Sequence, residues 1–342
     1  MFYNGVELYN IEELLRDEER EGFLMSRVPG KVRNLLNENA RQTAFDGPGC
    51  EIRFNIKGES VSITLSRVPT DGKTLDTGLC EVYFGSFQGV YSLSPRIIED
   101  EPVKIKISKA ENIKLMKEIA REKKLSFDPE LIRVFLPYDW PSCLLNIEGD
   151  CSPPEKGQAP GKKFLAYGSS ITHGSTSLRP SGIFTRQLAD RLGYDLINLG
   201  FAGSAHLDKE LADYIADRKD WEFAVLELGI NVIEIWNVEE FRNNVEYFIT
   251  KIAEKNPGKL LFCIDIFTCA RDFEGDEKVR VFRQVVRDKV KELNRSEIVY
   301  ISGRELLTTA NGLTADLLHP SAVGMKEIAN KLYEIITGKL SS

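Results

Sequence analysis

The stretch that decides the fold of the C-terminal half is KFLAYGSSITHG, residues 163–174. Its apolar run over residues 164–167 is typical of a strand buried inside a parallel sheet. Apolar residues at helical spacing then predict an amphipathic helix over residues 181–192. A strand that ends in glycine and serine before a helix lies where open α/β sheets bind their ligands. Taken alone, the stretch is equally consistent with a loop that has no chemical role.

The alternation of strand and helix continues to the C-terminus. Strands are predicted over residues 164–167, 196–199, 223–228, 260–267 and 298–301. Helices are predicted over residues 181–192, 209–218, 238–255, 278–293 and 321–336. Apolar strands joined by helices indicate a parallel sheet that is covered on both faces. We therefore expect an α/β fold with a flavodoxin-like, doubly wound, five-stranded parallel sheet, and a site at the carboxyl ends of its strands.

Polar residues and glycines follow these strand ends. Gly-Ser-Ser170 follows the first strand, Gly203 lies in the turn after the second, and Gly-Ile-Asn231 follows the third. The segment Asp-Leu-Leu-His319 precedes the last helix. A serine nucleophile needs a base within hydrogen-bond reach, a group that orients the base, and donors where the carbonyl oxygen becomes negative. The candidates for these roles are Ser170 as nucleophile, His319 as base, Asp316 as its orienting group, and Ser170, Gly203 and Asn231 as oxyanion donors.

In this order, the four segments resemble sequence blocks of the SGNH (GDSL-type) hydrolase superfamily. The first block is matched by Gly-Ser-Ser-Ile171, the second by Gly203, the third by Gly-Ile-Asn231 and the fifth by Asp-Leu-Leu-His319. The resemblance covers residues 163 to about 338. It implies a catalytic triad and an oxyanion hole made by the residues named above.

Two positions depart from the pattern of the family. Ser169 stands where an aspartate usually precedes the nucleophile, and Val232 stands where an aspartate often follows the asparagine. Neither position belongs to the triad or the oxyanion hole. The departures therefore bear on the subfamily and the substrate, and leave the expected mechanism unchanged.

Three histidines occur in the chain. Besides His319, we expect His173 to line the pocket or cap a helix, and His206 to lie on the rim of the second loop, where it is a candidate substrate contact. Asp265, after the fourth strand, is expected to be structural. Glu227 has no predicted partner for paired acid–base chemistry.

The motifs of several other classes are absent. Gly-Phe-Ala-Gly203 lacks the spacing of a dinucleotide fold, and neither a P-loop nor a G-x-S-x-G nucleophile elbow occurs. No group of histidine, cysteine and carboxylate residues has metal-ligand spacing. We therefore expect no cofactor and no metal.

Residues 1–155 show a different pattern, in which turn residues separate short strands. Strands are predicted over residues 51–57, 61–65, 79–84, 90–93, 103–107, 131–136 and 143–147, with one helix over residues 111–124. The pattern favours an antiparallel β-sandwich, jelly-roll-like in form. A Pro/Gly-rich linker at residues 151–161 predicts two domains, residues 1–155 and 162–342.

The N-terminal half contains no histidine, so we expect it to shape the substrate side of the site without supplying the chemistry. Tyr138 and Trp140 are candidates for a platform on which a sugar stacks, and a structural role at the sheet edge is the simpler interpretation. The C-terminal units are long enough to form a core of their own.

Composition and charge exclude some classes of binding partner. The net charge is −7 and the basic residues form no block, so nucleic acid and anionic membranes are not expected partners. No apolar run has the length of a membrane span and the N-terminus does not resemble a secretory signal, so we expect a cytoplasmic protein. The six cysteines show no CxxC spacing, which is typical of free thiols in a reducing compartment.

These observations predict a serine esterase that deacylates a small ester. A β-rich module before such a fold resembles the two-domain carbohydrate esterases, and this resemblance implies an acetylated sugar or glycoside as substrate. Two alternatives stay open: an acyltransferase, in which an alcohol replaces water, and a carbohydrate-binding protein whose hydrolase fold is inactive.

Overall fold

The N-terminal half of the computed structural model, which describes residues 1–70 and 78–341, consists of two antiparallel sheets and three helices. Its strands are β1 (Phe2–Tyr3), β2 (Val6–Tyr9), β3 (Glu13–Asp17), β4 (Gly22–Ser26), β5 (Glu51–Ile56), β6 (Ser60–Arg67), β7 (Gly78–Phe84), β8 (Phe87–Gln88), β9 (Arg96–Ile98), β10 (Val103–Ser108), β11 (Leu131–Phe135), β12 (Ser142–Glu148) and β13 (Cys151–Ser152). Its helices are α1 (Gly30–Arg33), α2 (Glu38–Thr43) and α3 (Ile113–Glu122).

The two sheets pack face to face as the predicted sandwich. One has the order β1-β2-β5-β11-β7-β8, with β13 beside β5 and β9 beside β7, and the other has the order β10-β6-β12-β4-β3. Phe54 of β5 pairs with Ile132 of β11 in the first sheet, and Ile63 of β6 pairs with Ile105 of β10 in the second. All four side chains are buried in one apolar cluster. Alternation along each strand therefore supplies the inner face of each sheet.

The predicted strand over residues 90–93 is wrong. The backbone N–H of Leu93 donates to the carbonyl of Val90 and closes a turn there, and both Val90 and Tyr91 are exposed. The strands of this region are instead β8 and β9, on either side of that turn. The first four strands were not predicted at all, because they are short and mix polar with apolar residues.

The C-terminal half is the predicted doubly wound α/β fold. Its strands are β14 (Lys163–Gly168), β15 (Asp195–Gly200), β16 (Phe223–Glu227), β17 (Leu260–Ile264) and β18 (Ile298–Ile301). They form a parallel sheet of order β15-β14-β16-β17-β18, in which every residue of β15 and β16 is buried. The helices are α4 (Ser170–His173), α5 (Phe184–Leu192), α6 (Lys209–Asp217), α7 (Val238–Lys255), α8 (Ala270–Glu274), α9 (Glu277–Leu293), α10 (Gly303–Leu306) and α11 (Ala322–Leu340).

Helices cover both faces of this sheet. Buried residues of α6, α7 and α9 form the core on one face, and those of α5 and α11 form the core on the other. Among the predicted elements that differ in extent, the fourth strand ends at Ile264, the first helix is divided into a 3₁₀ turn, Pro180–Gly182, and α5, and the last helix continues to Leu340. The strand order places the ends of β14, β15 and β16 side by side, where the candidate residues lie.

The two halves share buried structure. Leu36, Ala40 and Ala44 of the N-terminal half belong to the core that α6, α7 and α9 form on the C-terminal sheet. The guanidinium of Arg53, on β5, donates to both carboxylate oxygens of Asp195, on β15, at 2.6 and 2.8 Å. The two halves therefore contact each other through buried groups, while the core of the sandwich contains residues of the N-terminal half alone.

All six cysteines are free, and none of the described helices is long and apolar enough to cross a membrane.

Candidate active site

The first part of the site is the turn between β14 and α4. A β-carbon on Gly168 would lie 2.4 Å from a carboxylate oxygen of Glu227, so this position needs glycine. Ser169 caps α4, because its hydroxyl oxygen accepts a hydrogen bond from the N–H of Ile171 at 3.2 Å. Ser170 is the first residue of α4. The sequence Gly-Ser-Ser thus ends a buried strand and fixes the direction in which Ser170 leaves it.

Three side chains from two distant segments are hydrogen-bonded in series. Ser170 Oγ lies 2.8 Å from His319 Nε2, and His319 Nδ1 lies 2.7 Å from Asp316 Oδ2. In such a series, the histidine can take the serine proton while the carboxylate orients the ring and stabilises its charged form. The structure brings together the three residues that were predicted to form a triad.

The carboxylate of Asp316 is held by several donors. Its Oδ1 accepts from the Thr314 hydroxyl at 2.7 Å and from the backbone N–H groups of Leu318 and His319 at 2.8 and 2.9 Å. Desolvation alone would raise the pKa of Asp316, but the hydrogen bonds from His319, Thr314 and Leu318 outweigh it and hold the pKa well below its usual range. The group that orients His319 is therefore charged at neutral pH.

Asn231 and Gly203 lie at the ends of the neighbouring strands. Asn231 Oδ1 accepts from the N–H of Ala205 at 3.1 Å, which leaves the amide NH₂ group as the donor of this side chain toward a ligand. Gly203 has a φ of 66° and open space where a β-carbon would lie. Substrate can approach its backbone closely for this reason.

The loop of Gly203 rests on both halves of the chain. Asn37, the N-cap of α2, donates through Nδ2 to the carbonyl of Ser204 at 3.0 Å and to Asp208 Oδ2 at 2.9 Å. Its backbone N–H donates to Asp208 Oδ1 at 2.8 Å. On the side of the sheet, the hydroxyl of Tyr167, on β14, accepts from the N–H of Leu207 at 2.9 Å. Sequence patterns did not identify Asn37, because it acts across a contact between the two halves.

Glu227 is a second residue that the sequence reasoning missed. It is buried at the end of β16, and its carboxylate accepts from the backbone N–H and hydroxyl of Ser169 and from the hydroxyl of Thr172, at 2.6 to 2.8 Å. Burial raises the pKa of Glu227, and these hydrogen bonds oppose that rise. The carboxylate braces the turn that carries Ser170. A charged residue that ends an apolar strand was the available signal.

The other predicted contacts are placed differently. His173 is fully buried, with Nδ1 3.0 Å from the carbonyl of Gly200 and Nε2 3.6 Å from Asp46 Oδ2, so it does not line the pocket. Tyr138 and Trp140 are also buried and offer no exposed platform for a sugar. Desolvation raises the pKa of Tyr138 to about 12, and Arg67 covers the ring of Trp140.

His206 and Asp265 complete the predicted set. His206 is half-buried in the loop of Gly203, and desolvation lowers its pKa. Asp265 is fully buried and accepts from the Tyr300 hydroxyl at 2.6 Å and the N–H of Gly303 at 2.7 Å, which is a structural role. Within the described residues, no group of three or more side chains is arranged to hold a metal ion.

The doubly wound sheet, with a serine, a histidine and an aspartate in series at its carboxyl edge, has the form of an SGNH-type hydrolase. The chain belongs to the GDSL-like lipase/acylhydrolase family, whose model matches residues 161–337. No curated protein matches the sequence.

Solved structures share both halves of the fold. A salicylyl-acyltransferase from a tetracycline biosynthetic pathway has a TM-score of 0.77 at 16% identity, over 98% of this chain and 94% of that one. A GDSL-like lipase from Bacteroides ovatus has a TM-score of 0.71 at 17% identity, over 98% of both chains. A family two carbohydrate esterase from Clostridium thermocellum, solved in complex with cellohexaose, has a TM-score of 0.60 at 13% identity, over 86% of this chain and 93% of that one. These neighbours confirm the two-part architecture, and membership of the family supports an acylhydrolase activity.

Proposed function

We propose that the protein is a serine esterase that hydrolyses a small carboxylic ester. The observation that carries this proposal is the series of hydrogen bonds from Ser170 to His319 and from His319 to Asp316. Ser170 Oγ attacks the ester carbonyl while His319 Nε2 takes its proton. The oxyanion that forms is stabilised by the N–H groups of Ser170 and Gly203 and the amide of Asn231.

Collapse of this intermediate breaks the bond to the alcohol, which takes the proton from His319 and departs. The acyl group stays bonded to Ser170 Oγ. A water molecule, deprotonated by His319, then attacks the acyl-enzyme. The second intermediate releases the carboxylic acid and returns the proton to Ser170. Asp316 stays charged throughout and stabilises the imidazolium.

An acetylated carbohydrate is the substrate that the resemblance to carbohydrate esterases favours. Its support comes from the shared architecture and from the family two esterase that was solved with cellohexaose. Tyr138 and Trp140, the candidates for a stacking platform, are buried, in keeping with the structural role that was the simpler interpretation. The sugar would have to bind through polar groups at the strand ends, with His206 as a candidate.

An acyltransferase is the second candidate. It uses the same acyl-enzyme, which an alcohol instead of water then attacks, and the neighbour with the TM-score of 0.77 is named as an acyltransferase. The His319 side chain is 21% exposed, so an acceptor from solvent can reach the base. Hydrolysis assays repeated with added alcohols separate the two activities by the new ester that a transferase forms.

Hydrolysis of p-nitrophenyl acetate by the wild type and Ser170→Ala tests the proposal. Loss of a serine-triad nucleophile lowers kcat on the order of 10⁶-fold, because no other group takes over the attack. Ser175→Ala removes a hydroxyl from the same loop and is the matched control, expected to keep activity. Circular dichroism verifies that both variants fold. Turnover by folded Ser170→Ala near that of the wild type would refute the mechanism.

A further inference from the structure

Exposed apolar side chains concentrate at the edge of the sheet that carries the candidate triad. Among the described residues from Lys163 onward, six large apolar side chains are exposed. One of them, Leu340, ends α11, far along the helix from His319. The other five lie in loops or first turns at the catalytic edge, and we call them the apolar rim: Leu178, Ile235, Phe273, Leu317 and Val323.

Hydrogen bonds join the segments of the apolar rim around His319. The hydroxyl of Thr176 donates to the carbonyl of Pro320 at 2.7 Å, which ties the loop of Leu178 to the residue after His319. The first N–H of α8, the helix that carries Phe273, donates to the carbonyl of Leu317 at 2.6 Å. An ion pair between Arg271 of α8 and Glu234 joins α8 to the segment of Ile235, which follows the oxyanion candidate Asn231.

Folding alone does not account for two of these leucines. Leu178 and Leu317 have φ values of 69° and 53°, in the left-handed region that large side chains rarely adopt. Burial does not offset the strain, because Leu178 is 73% exposed and Leu317 is 46% exposed. Glycine or asparagine would fit either backbone better. A contact with bound substrate would account for a large apolar side chain at such a position.

We propose that the apolar rim binds the acyl group of the ester, and that this acyl group is an alkyl or aryl group larger than acetyl. The inference rests on the proposed function, and it replaces the acetyl group that the resemblance to carbohydrate esterases favours with a larger acyl group. The acyl group stays bonded to Ser170 Oγ until water or an acceptor attacks, whereas the alcohol must leave past His319 to make room for that attack. An apolar surface on the loops that carry His319 and follow Asn231 therefore serves the acyl group through both halves of the reaction.

A series of p-nitrophenyl esters from acetate to octanoate tests the proposal on the full chain. Each methylene that leaves water contributes up to roughly a fourfold gain. We expect kcat/KM of the wild type to rise by at least about tenfold from acetate to hexanoate. In Ile235→Ser/Phe273→Ser, the ratio of hexanoate to acetate hydrolysis should fall by about tenfold. Leu340→Ser, an exposed apolar residue away from the site, should match the wild type.

Other results overturn the proposal. A flat or falling profile from acetate to hexanoate in the wild type does so, as does a double variant that keeps the rising profile. If chain length matters on the alcohol side, with hexyl acetate preferred over ethyl acetate and the acyl series flat, the rim binds the alcohol instead. Binding to phosphatidylcholine vesicles with a flat acyl series makes it a lipid contact. Absence of any Ser170-dependent ester hydrolysis is a separate result, which refutes the proposed function itself.

Discussion

The orientation of one amide decides how Asn231 can act. Its oxygen is engaged by the N–H of Ala205, so its NH₂ group is the part that can meet developing negative charge. In a serine hydrolase this charge is largest in the transition state, and a donor placed there acts on turnover more than on substrate binding. The role proposed for Asn231 therefore separates kcat from KM.

We expect Asn231→Ala to lower kcat by roughly 10²–10³-fold and to change KM by less than about threefold. Steady-state kinetics on p-nitrophenyl acetate measure both parameters. Asn231→Asp is the matched control, because a carboxylate still accepts from Ala205 but donates nothing. It should lose at least as much kcat. Full activity in Asn231→Asp would mean that Asn231 only supports the loop.

Residues of the site differ in how far the sequence reveals them. Ser170, Gly203 and Asn231 lie in short motifs after strands, and the parallel topology brings such strand ends together. Asp316 and His319 lie in a short motif before the last helix. Glu227 is marked only as a charged residue at the end of an apolar strand, and no local pattern marks Asn37, which acts through a contact between distant elements. The sequence also did not show which aromatic side chains are exposed. Tyr138 and Trp140 were candidates for a platform on which a sugar stacks, and the fold buries both.

Secondary elements show the same division. Strands β14 to β18 and helices α7, α9 and α11 were predictable, because each has a long apolar run or a sustained helical period. The helices α4, α8 and α10 have four or five residues each and offer no period to detect. Strands β1 to β4 depend on pairing with partners elsewhere in the chain, which outweighs their weak local preference.

Helix α2 links the N-terminal half to the loop of Gly203, the proposed oxyanion donor, through its N-cap residue Asn37. Asn37 donates to Ser204 and Asp208, on the segment that carries Gly203. We expect Asn37→Ala to lower kcat by about tenfold, with KM changed less than about threefold, because the lost hydrogen bonds position a transition-state donor and do not bind the ground state. Kinetics on a short acyl ester measure the effect.

Asn37→Asp separates this role from helix capping. Aspartate caps a helix as well as asparagine does, but it cannot donate to Ser204 and it repels Asp208. If the amide positions the loop, Asn37→Asp loses turnover like Asn37→Ala even where thermal stability is retained. Wild-type kcat in Asn37→Asp would show that capping alone matters.

Asp265 joins the end of β17 to β18 and α10 through Tyr300 and Gly303. Desolvation raises its pKa from 3.8 to about 6 in the folded protein. A raised folded-state pKa contributes stability that is present below the unfolded pKa and is lost as pH rises through about 6. The shift corresponds to about 2 kcal/mol in the free energy of unfolding between about pH 4 and pH 7.5.

Asp265→Asn removes this titration while keeping the shape of the side chain. We expect the stability of the wild type relative to Asp265→Asn to fall by about 2 kcal/mol from pH 4 to pH 7.5. Urea unfolding at several pH values measures the difference, in which the other carboxylates cancel. A difference that stays constant, or grows with pH, would contradict a raised pKa at this site.

At the scale of the whole molecule, a buried ionic network spans the two halves. Glu51 accepts from Arg53 at 2.7 Å and from Arg133 at 2.6 and 2.7 Å, while Arg53 also holds both oxygens of Asp195. Burial would raise the pKa of Glu51, but Arg133 and Arg53 hold it well below its usual range. Removal of one member leaves its partner charged and buried.

The halves are therefore expected to fold as one unit. Arg53→Met leaves Asp195 without its bidentate partner and should lower the free energy of unfolding by about 3–5 kcal/mol. A chain that starts near Gly161 also bares the apolar surface that Leu36, Ala40 and Ala44 cover, and we expect it to aggregate even though the C-terminal sheet is long enough for a core. Urea unfolding of the full chain, followed by fluorescence and residual activity, measures the first effect.

The three tryptophans make the cooperativity itself observable. Trp140 lies in the N-terminal half, and Trp221 and Trp236 lie in the C-terminal half, so Trp140→Phe reports on the second half alone. If the network couples the halves, the fluorescence of the wild type, the fluorescence of Trp140→Phe and the esterase activity are all lost at one urea concentration. Arg53→Met then shifts the midpoints of all three transitions together. Lys57→Met, which breaks an exposed pair with Glu155, should shift none of them by more than about 1 kcal/mol. Separate transitions, or a truncated chain from Gly161 that is soluble and active, would show that the ionic network joins two independently stable domains.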